Sequence, residues 1–118
     1  MTAREAASFM RAFGDGTRLR ILVALSTREL SVAQMTGLLR CPKTRISRHL
    51  GYLRSRSIVE SQQMGNSVVY RLLPPQHPLH RWALGALQQC STDIEDVHRD
   101  TMRLGNKAGG SKGMGRRG

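Results

Sequence analysis

Acidic residues are scarce in this chain. Eight Asp and Glu stand against 19 Lys and Arg in 118 residues, for a formal net charge of +11 at pH 7. That imbalance argues against cationic partners and for a polyanion, either nucleic acid or an anionic membrane. Long apolar runs are missing too: none approaches the roughly 18 residues of a membrane-spanning helix. The opening MTAREAASFMRAFG lacks the apolar block of a signal peptide. No membrane partner is expected, and the expected compartment is the cytoplasm. Cysteines number two, Cys41 and Cys90, too few for a disulfide scaffold. Aromatics make up 4%, so the core must come from Leu, Ile, Val, Ala and Met. Such a core is expected to leave an apolar surface that a second copy covers. Lysines are outnumbered by arginines, three to sixteen. The planar guanidinium suits phosphates and guanine edges, which favours nucleic acid. The chain has no Gly-rich phosphate loop, metal-spaced Cys/His cluster or nucleophile motif, so binding and not catalysis is expected.

What is present is helical periodicity with one hairpin. Ala6, Phe9, Met10 and Phe13 mark a first helix over Thr2 to Phe13, ended by Gly14. A largely buried second helix follows over Thr17 to Leu25, with Asp15 or Thr17 as its cap. Ser31 with Gln34 has capping-box spacing and starts a short helix, Val32 to Leu39. After Arg40-Cys41-Pro42, a further helix spans Lys43 to Ser55, with Ile46, Leu50 and Leu53 as a one-sided stripe. Ser57 to Gln62 and Ser67 to Leu73 are β-rich runs around the turn Met64-Gly65-Asn66. A single long helix is expected from Leu79 to Val97. Its stripe, which includes Leu79, Trp82, Ala83, Ala86 and Leu87, is the candidate dimer surface. The domain is expected over residues 1–104, and residues 105–118, rich in Gly and positive charge, form an expected disordered tail.

Helix, turn, second helix and hairpin is the order of a winged helix-turn-helix. The expected fold is therefore mainly α, with about five helices and a two-stranded wing, as a homodimer. The run from Leu30 to Val59 contains Arg40, Lys43, Arg45, Arg48, Arg54 and Arg56 and no acid. Lys43, Thr44, Arg45, Ser47, Arg48 and His49 lie on the helix expected to enter the major groove. Arg54 and the wing-tip Asn66 complete the candidate DNA contacts, with Arg54 and Arg56 suited to phosphates. A nonspecific architectural nucleic-acid binder, working by charge alone, is the alternative.

GDGTRLRILVAL, RELSVAQMTGLL, KTRISRHLGYLRSRSIVE and GNSVVYRL together resemble the ArsR/SmtB family of winged-helix repressors, from about Phe9 to Leu72 and on the final helix. The resemblance implies a homodimer that represses transcription from a two-fold operator on double-stranded DNA, and an inducer that weakens that binding. In many members the inducer is arsenite or a metal ion. Arsenic-responsive relatives carry cysteines in an ELCVCDL segment; here the same positions are Ser31, Ala33 and Thr36, and neither Ser nor Ala forms a soft thiolate bond. Cys41, beside Arg40, Lys43 and Arg45 at a helix start, is a candidate reactive thiol, and Cys90 reads more simply as a core residue. Arsenite or metal binding by these thiols, thiol oxidation, and a ligand-independent repressor all stay open. So does a divalent-metal site between two final helices, with His80 of one copy near Asp93 of the other and His77 near Asp96.

Overall fold

The computed structural model describes residues 1–110. The first helix, α1 (Ala3–Arg11), starts in a full capping box: Thr2 Oγ1 accepts from the Glu5 N–H (3.1 Å), and Glu5 Oε1 accepts from the Thr2 N–H (2.7 Å). It buries Phe9 and gives way to a turn before Phe13. α2 (Gly16–Thr27) is capped by Asp15, whose Oδ1 accepts from the Arg18 N–H at 3.1 Å. Ile21 to Leu25 are all buried, because α2 is the central rod against which α3, α4, α5, α6 and the sheet pack.

α3 (Val32–Leu39) begins in the expected Ser31–Gln34 box, and α4 (Lys43–Ser55) follows the turn at Arg40–Pro42. The hairpin is β2 (Val59–Met64) and β3 (Ser67–Leu72), in register from Val59↔Leu72 to Met64↔Ser67. Gly65 alone in its two-residue turn has positive φ (62°), the type II′ pattern that suits a first-position glycine. A strand absent from the sequence reading, β1 (Leu30–Ser31), pairs with β3 through Leu30↔Tyr70 and makes the sheet three-stranded, in the order β1-β3-β2. Two residues are too short for alternation to show. Arg71 on β3 ties the sheet base together by pairing with Glu60 and, at 3.4 Å, with Glu29.

The expected single C-terminal helix is two. α5 (Pro78–Gln89) has His77 as N-cap and Pro78 in its first turn, and stops at Cys90. A short 3₁₀ turn, Ser91–Asp93, and the extended Ile94 separate it from α6 (Glu95–Gly110). Ser, Thr and Asp compete locally for backbone groups and are weak interior helix formers. The apolar periodicity carries across the break because Val97 and Leu104 return to the same core, now against α2. α6 runs into the stretch expected as tail; residues 111–118 lie outside the described residues. Ile21, Leu22, Leu30, Met35, Leu39, Ile46, Leu50, Leu53 and Ile58 form the sealed core, each at 0–1% exposure. Each such side chain contributes about 1.5–3 kcal/mol by burial. No described helix is long and apolar enough to cross a membrane.

Candidate nucleic-acid interface

α4 has two faces. Ile46, Leu50 and Leu53 lock it to the core, and Lys43, Thr44, Arg45, Ser47 and Arg48 are exposed on the other side. Pro42 caps α4 without a side-chain hydrogen bond. The first N–H groups of the helix therefore face outward with the positive end of its dipole. Between the starts of α3 and α4 and the wing tip lies a cleft of about 320 Å³, lined by Ser31, Val32, Ala33, Lys43, Asn66, Ser67 and Val68. Asn66 is exposed at the tip, and exposed Arg54 reaches the wing through Nη1 to Ser61 Oγ at 3.1 Å. The outer surface of this unit is thus basic, polar and concave, and suits a phosphate backbone beside a groove.

His49 does not belong to that surface. It is 8% exposed, and Arg18 Nη1 donates to its Nδ1 at 3.1 Å, with Asp15 Oδ1 3.8 Å from Nε2. An i+3 step from Ile46 carries it to the core side. Several arginines prove structural as well. Arg18 donates to the Ala12 carbonyl (3.0 Å) and the Arg11 carbonyl (2.8 Å), and its guanidinium lies 4.2 Å from the Tyr52 ring centroid. Arg56 covers the Tyr52 ring at 3.8 Å, a contact that the i,i+4 spacing of Tyr52 and Arg56 foreshadows.

The expected sensor residues do not assemble into a metal centre in this chain. Cys41 is buried in the core at 5% exposure, so a shared site with Cys90 would require it to leave the core. Cys90, expected in the core, is exposed where α5 ends. At the thiolate positions of arsenic-responsive relatives, Ser31 Oγ is committed to capping α3, and Ala33 has no donor atom. These residues do not fit a soft three-coordinate ion. The expected His80–Asp93 and His77–Asp96 pairing joins two copies; within one chain His77 and His80 lie at the start of α5, Asp93 in the 3₁₀ turn and Asp96 on α6. His77 Nδ1 accepts from the His80 N–H (3.2 Å), and His80 Nδ1 from the Gln76 N–H (3.1 Å). Among the described residues no three His, Cys, Asp or Glu side chains converge. Of the expected dimer residues, Ala83 and Leu87 face the monomer's own core, Leu79 and Ala86 are half-buried, and Trp82 is 64% exposed.

His49 and His80 titrate below the ordinary histidine value of 6.5. Burial is the main cause for both; Arg18, Arg48 and Arg45 add to it at His49 against the opposing pull of Asp15, and His77 adds to it at His80. The unfolded chain therefore takes up protons first as pH falls. The stability that these two histidines contribute is present in full above about pH 6.5 and is lost as pH drops through their folded-state values. The urea midpoint is expected to be lower at pH 5 than at pH 7.5, and His80→Gln to flatten that dependence; equal slopes in both proteins would remove His80 from the account.

A helix, a tight turn, a second helix with a basic outer face and a hairpin beside it define a winged helix-turn-helix nucleic-acid-binding module. The chain belongs to the arsR family of bacterial regulatory proteins, whose family profile matches residues 15–61. It is 34% identical over 70 residues to the HTH-type transcriptional regulator MJ1325 of Methanocaldococcus jannaschii, covering 58% of this chain and 79% of that one. It is 33% identical over 70 residues to the transcriptional repressor SmtB homolog of Synechocystis, covering 59% of this chain but only 53%, about half, of that protein. In structure it is similar to the homodimeric winged helix-turn-helix DNA-binding domain of Mb0332 from Mycobacterium bovis, with a TM-score of 0.61, 27% identity, and coverage of 83% of this chain and 93% of that one.

Proposed function

We propose that the protein is a cytoplasmic, homodimeric transcriptional repressor that binds a two-fold DNA operator and leaves it when an effector acts. The observation that carries this reading is the division of α4, sealed on one side and offering Lys43, Thr44, Arg45, Ser47 and Arg48 on the other, beside a wing-lined cleft. Charge alone would need neither the wing nor a reading face that mixes polar Thr44 and Ser47 with the basic residues. The repressor named among its relatives and the homodimeric neighbour support the same reading.

Fluorescence anisotropy on the chain's own upstream DNA and on a scrambled duplex tests it. Arg48→Ala is expected to weaken operator binding by about 1–3 kcal/mol and erase the preference over scrambled DNA. Arg54→Ala is expected to weaken both duplexes alike and lower the salt slope by about one. Equal affinities of the wild type for the two duplexes would leave a charge-driven architectural binder. Arsenite, zinc and an oxidant added to the operator complex in turn identify the releasing chemistry. A thiol route must act through exposed Cys90 and disappear in Cys90→Ser.

A further inference from the structure

We propose that α6 is a working part of the DNA-reading unit, although it lies outside it in sequence, and that Asp100 is the positioning residue that couples the two. The inference rests on the DNA-binding reading above. A helix leaves its last carbonyls without partners, and those of α3 stand directly before the turn into α4. The Thr36 carbonyl accepts from the Arg40 and Cys41 N–H groups. Leu38 and Leu39 are buried, at 2% and 1% exposure, and their carbonyls need partners that water does not supply. Two arginines from other helices provide them: Arg103 Nε of α6 donates to the Leu38 carbonyl at 2.7 Å, and Arg20 Nη2 of α2 donates to that of Leu39.

Asp100 of α6, 4% exposed, holds both guanidinium groups. Its Oδ2 accepts from Arg20 Nε (2.7 Å), and its Oδ1 from Arg20 Nη2 (3.0 Å) and Arg103 Nη2 (2.7 Å). Each planar fork thus grips the carboxylate and keeps a donor for a carbonyl of α3. A second observation shows why the turn needs an outside clamp. Arg40 caps α3 in the left-handed region (φ 52°, ψ 50°), where glycine is the usual residue. A strained residue of this kind persists when its surroundings over-determine it. The clamp sets where α3 ends, and so where Pro42 and the exposed start of α4 lie. Its α6 half falls beyond the region matched by the family profile.

Charge and clamp predict opposite signs. Asp100→Asn removes a negative charge, which by electrostatics alone tightens binding to any DNA. Loss of the clamp weakens operator binding instead. Glu95→Gln removes the same charge from the same helix at a side chain 94% exposed, and serves as the matched control. The expected anisotropy result is about tenfold weaker operator binding for Asp100→Asn, no weakening on scrambled DNA, and no weakening of either by Glu95→Gln. Amide hydrogen exchange without DNA is expected to show faster exchange at Cys41 in Asp100→Asn only. If Asp100→Asn does not fold by circular dichroism, Arg103→Gln, which leaves the Arg20–Asp100 pair, is expected to show the same loss of operator-over-scrambled preference and the faster Cys41 exchange. Operator affinity and Cys41 protection equal to those of Glu95→Gln overturn the clamp. A wild type with no operator preference overturns the DNA reading instead, and the exchange measurement still decides the clamp.

Discussion

Trp82→Glu is expected to leave the monomer folded and abolish both its dimer and its operator complex. Trp82 is 64% exposed and absent from the core cluster, with half-buried Leu79 and Ala86 on the same face at i, i+3 and i+7 of α5. An indole is among the largest apolar surfaces a side chain offers, about 150–250 Å². At the centre of an interface such an anchor is worth about 2 kcal/mol or more. A two-fold interface repeats every residue, so the substitution acts twice, about 4 kcal/mol in all, or roughly a thousandfold in dimer dissociation. A monomer meets one half-site at a time and loses the second. Sedimentation velocity at micromolar concentration checks the dimer, and a thermal melt of the same sample checks the fold. A profile that stays dimeric would place the interface elsewhere. Leu87→Glu, suggested by periodicity alone, is expected to unfold the monomer, since Leu87 is 7% exposed inside it.

The contrast between Trp82 and Leu87 shows what the sequence discloses. Periodicity states that α5 is amphipathic, and it does not separate a stripe turned to the chain's own core from one left for a partner. α3 and α4 were legible nearly to the residue because their signals are local: a capping box at Ser31 and Gln34, a proline before Lys43, and a clean i, i+4, i+7 stripe. The break after α5 was hidden because Val97 and Leu104 keep the apolar beat across the 3₁₀ turn at Ser91–Asp93. The arginines misled most. Their excess over lysine reads as nucleic-acid chemistry, and on α4 that reading fits their exposure. Yet Arg18, Arg20 and Arg103 direct their forks to the carbonyl ends of α1 and α3, and the α3 partners of Arg20 and Arg103 lie 19 and 65 residues away in sequence. The property that makes arginine good at phosphate, several donors in one rigid plane, also makes it good at closing helix ends.

Arg18→Met is therefore expected to be destabilising with no DNA present. It deletes donors to the Ala12 and Arg11 carbonyls and to His49 Nδ1, and uncovers one face of Tyr52. Hydrogen bonds from a charged donor contribute about 1.5–3 kcal/mol each. Partial exposure of the site lowers the total to about 3 kcal/mol, against a typical domain stability of about 5–15 kcal/mol. The melting temperature is expected to fall by on the order of 15 °C. Arg18→Lys is expected to recover little of it, because one ammonium does not span three acceptors in a fixed plane. A titration of His49 by NMR separates this account from a general loss of packing. The Arg18 charge is one of the influences holding His49 low, and Asp15 pulls the other way, so His49 is expected to protonate at higher pH in both Arg18→Met and an Arg18→Gln variant. Arg18→Lys keeps the charge and is expected to leave it close to wild type. A His49 titration that does not move in Arg18→Met would show that the 3.1 Å contact in the structure carries no electrostatic coupling.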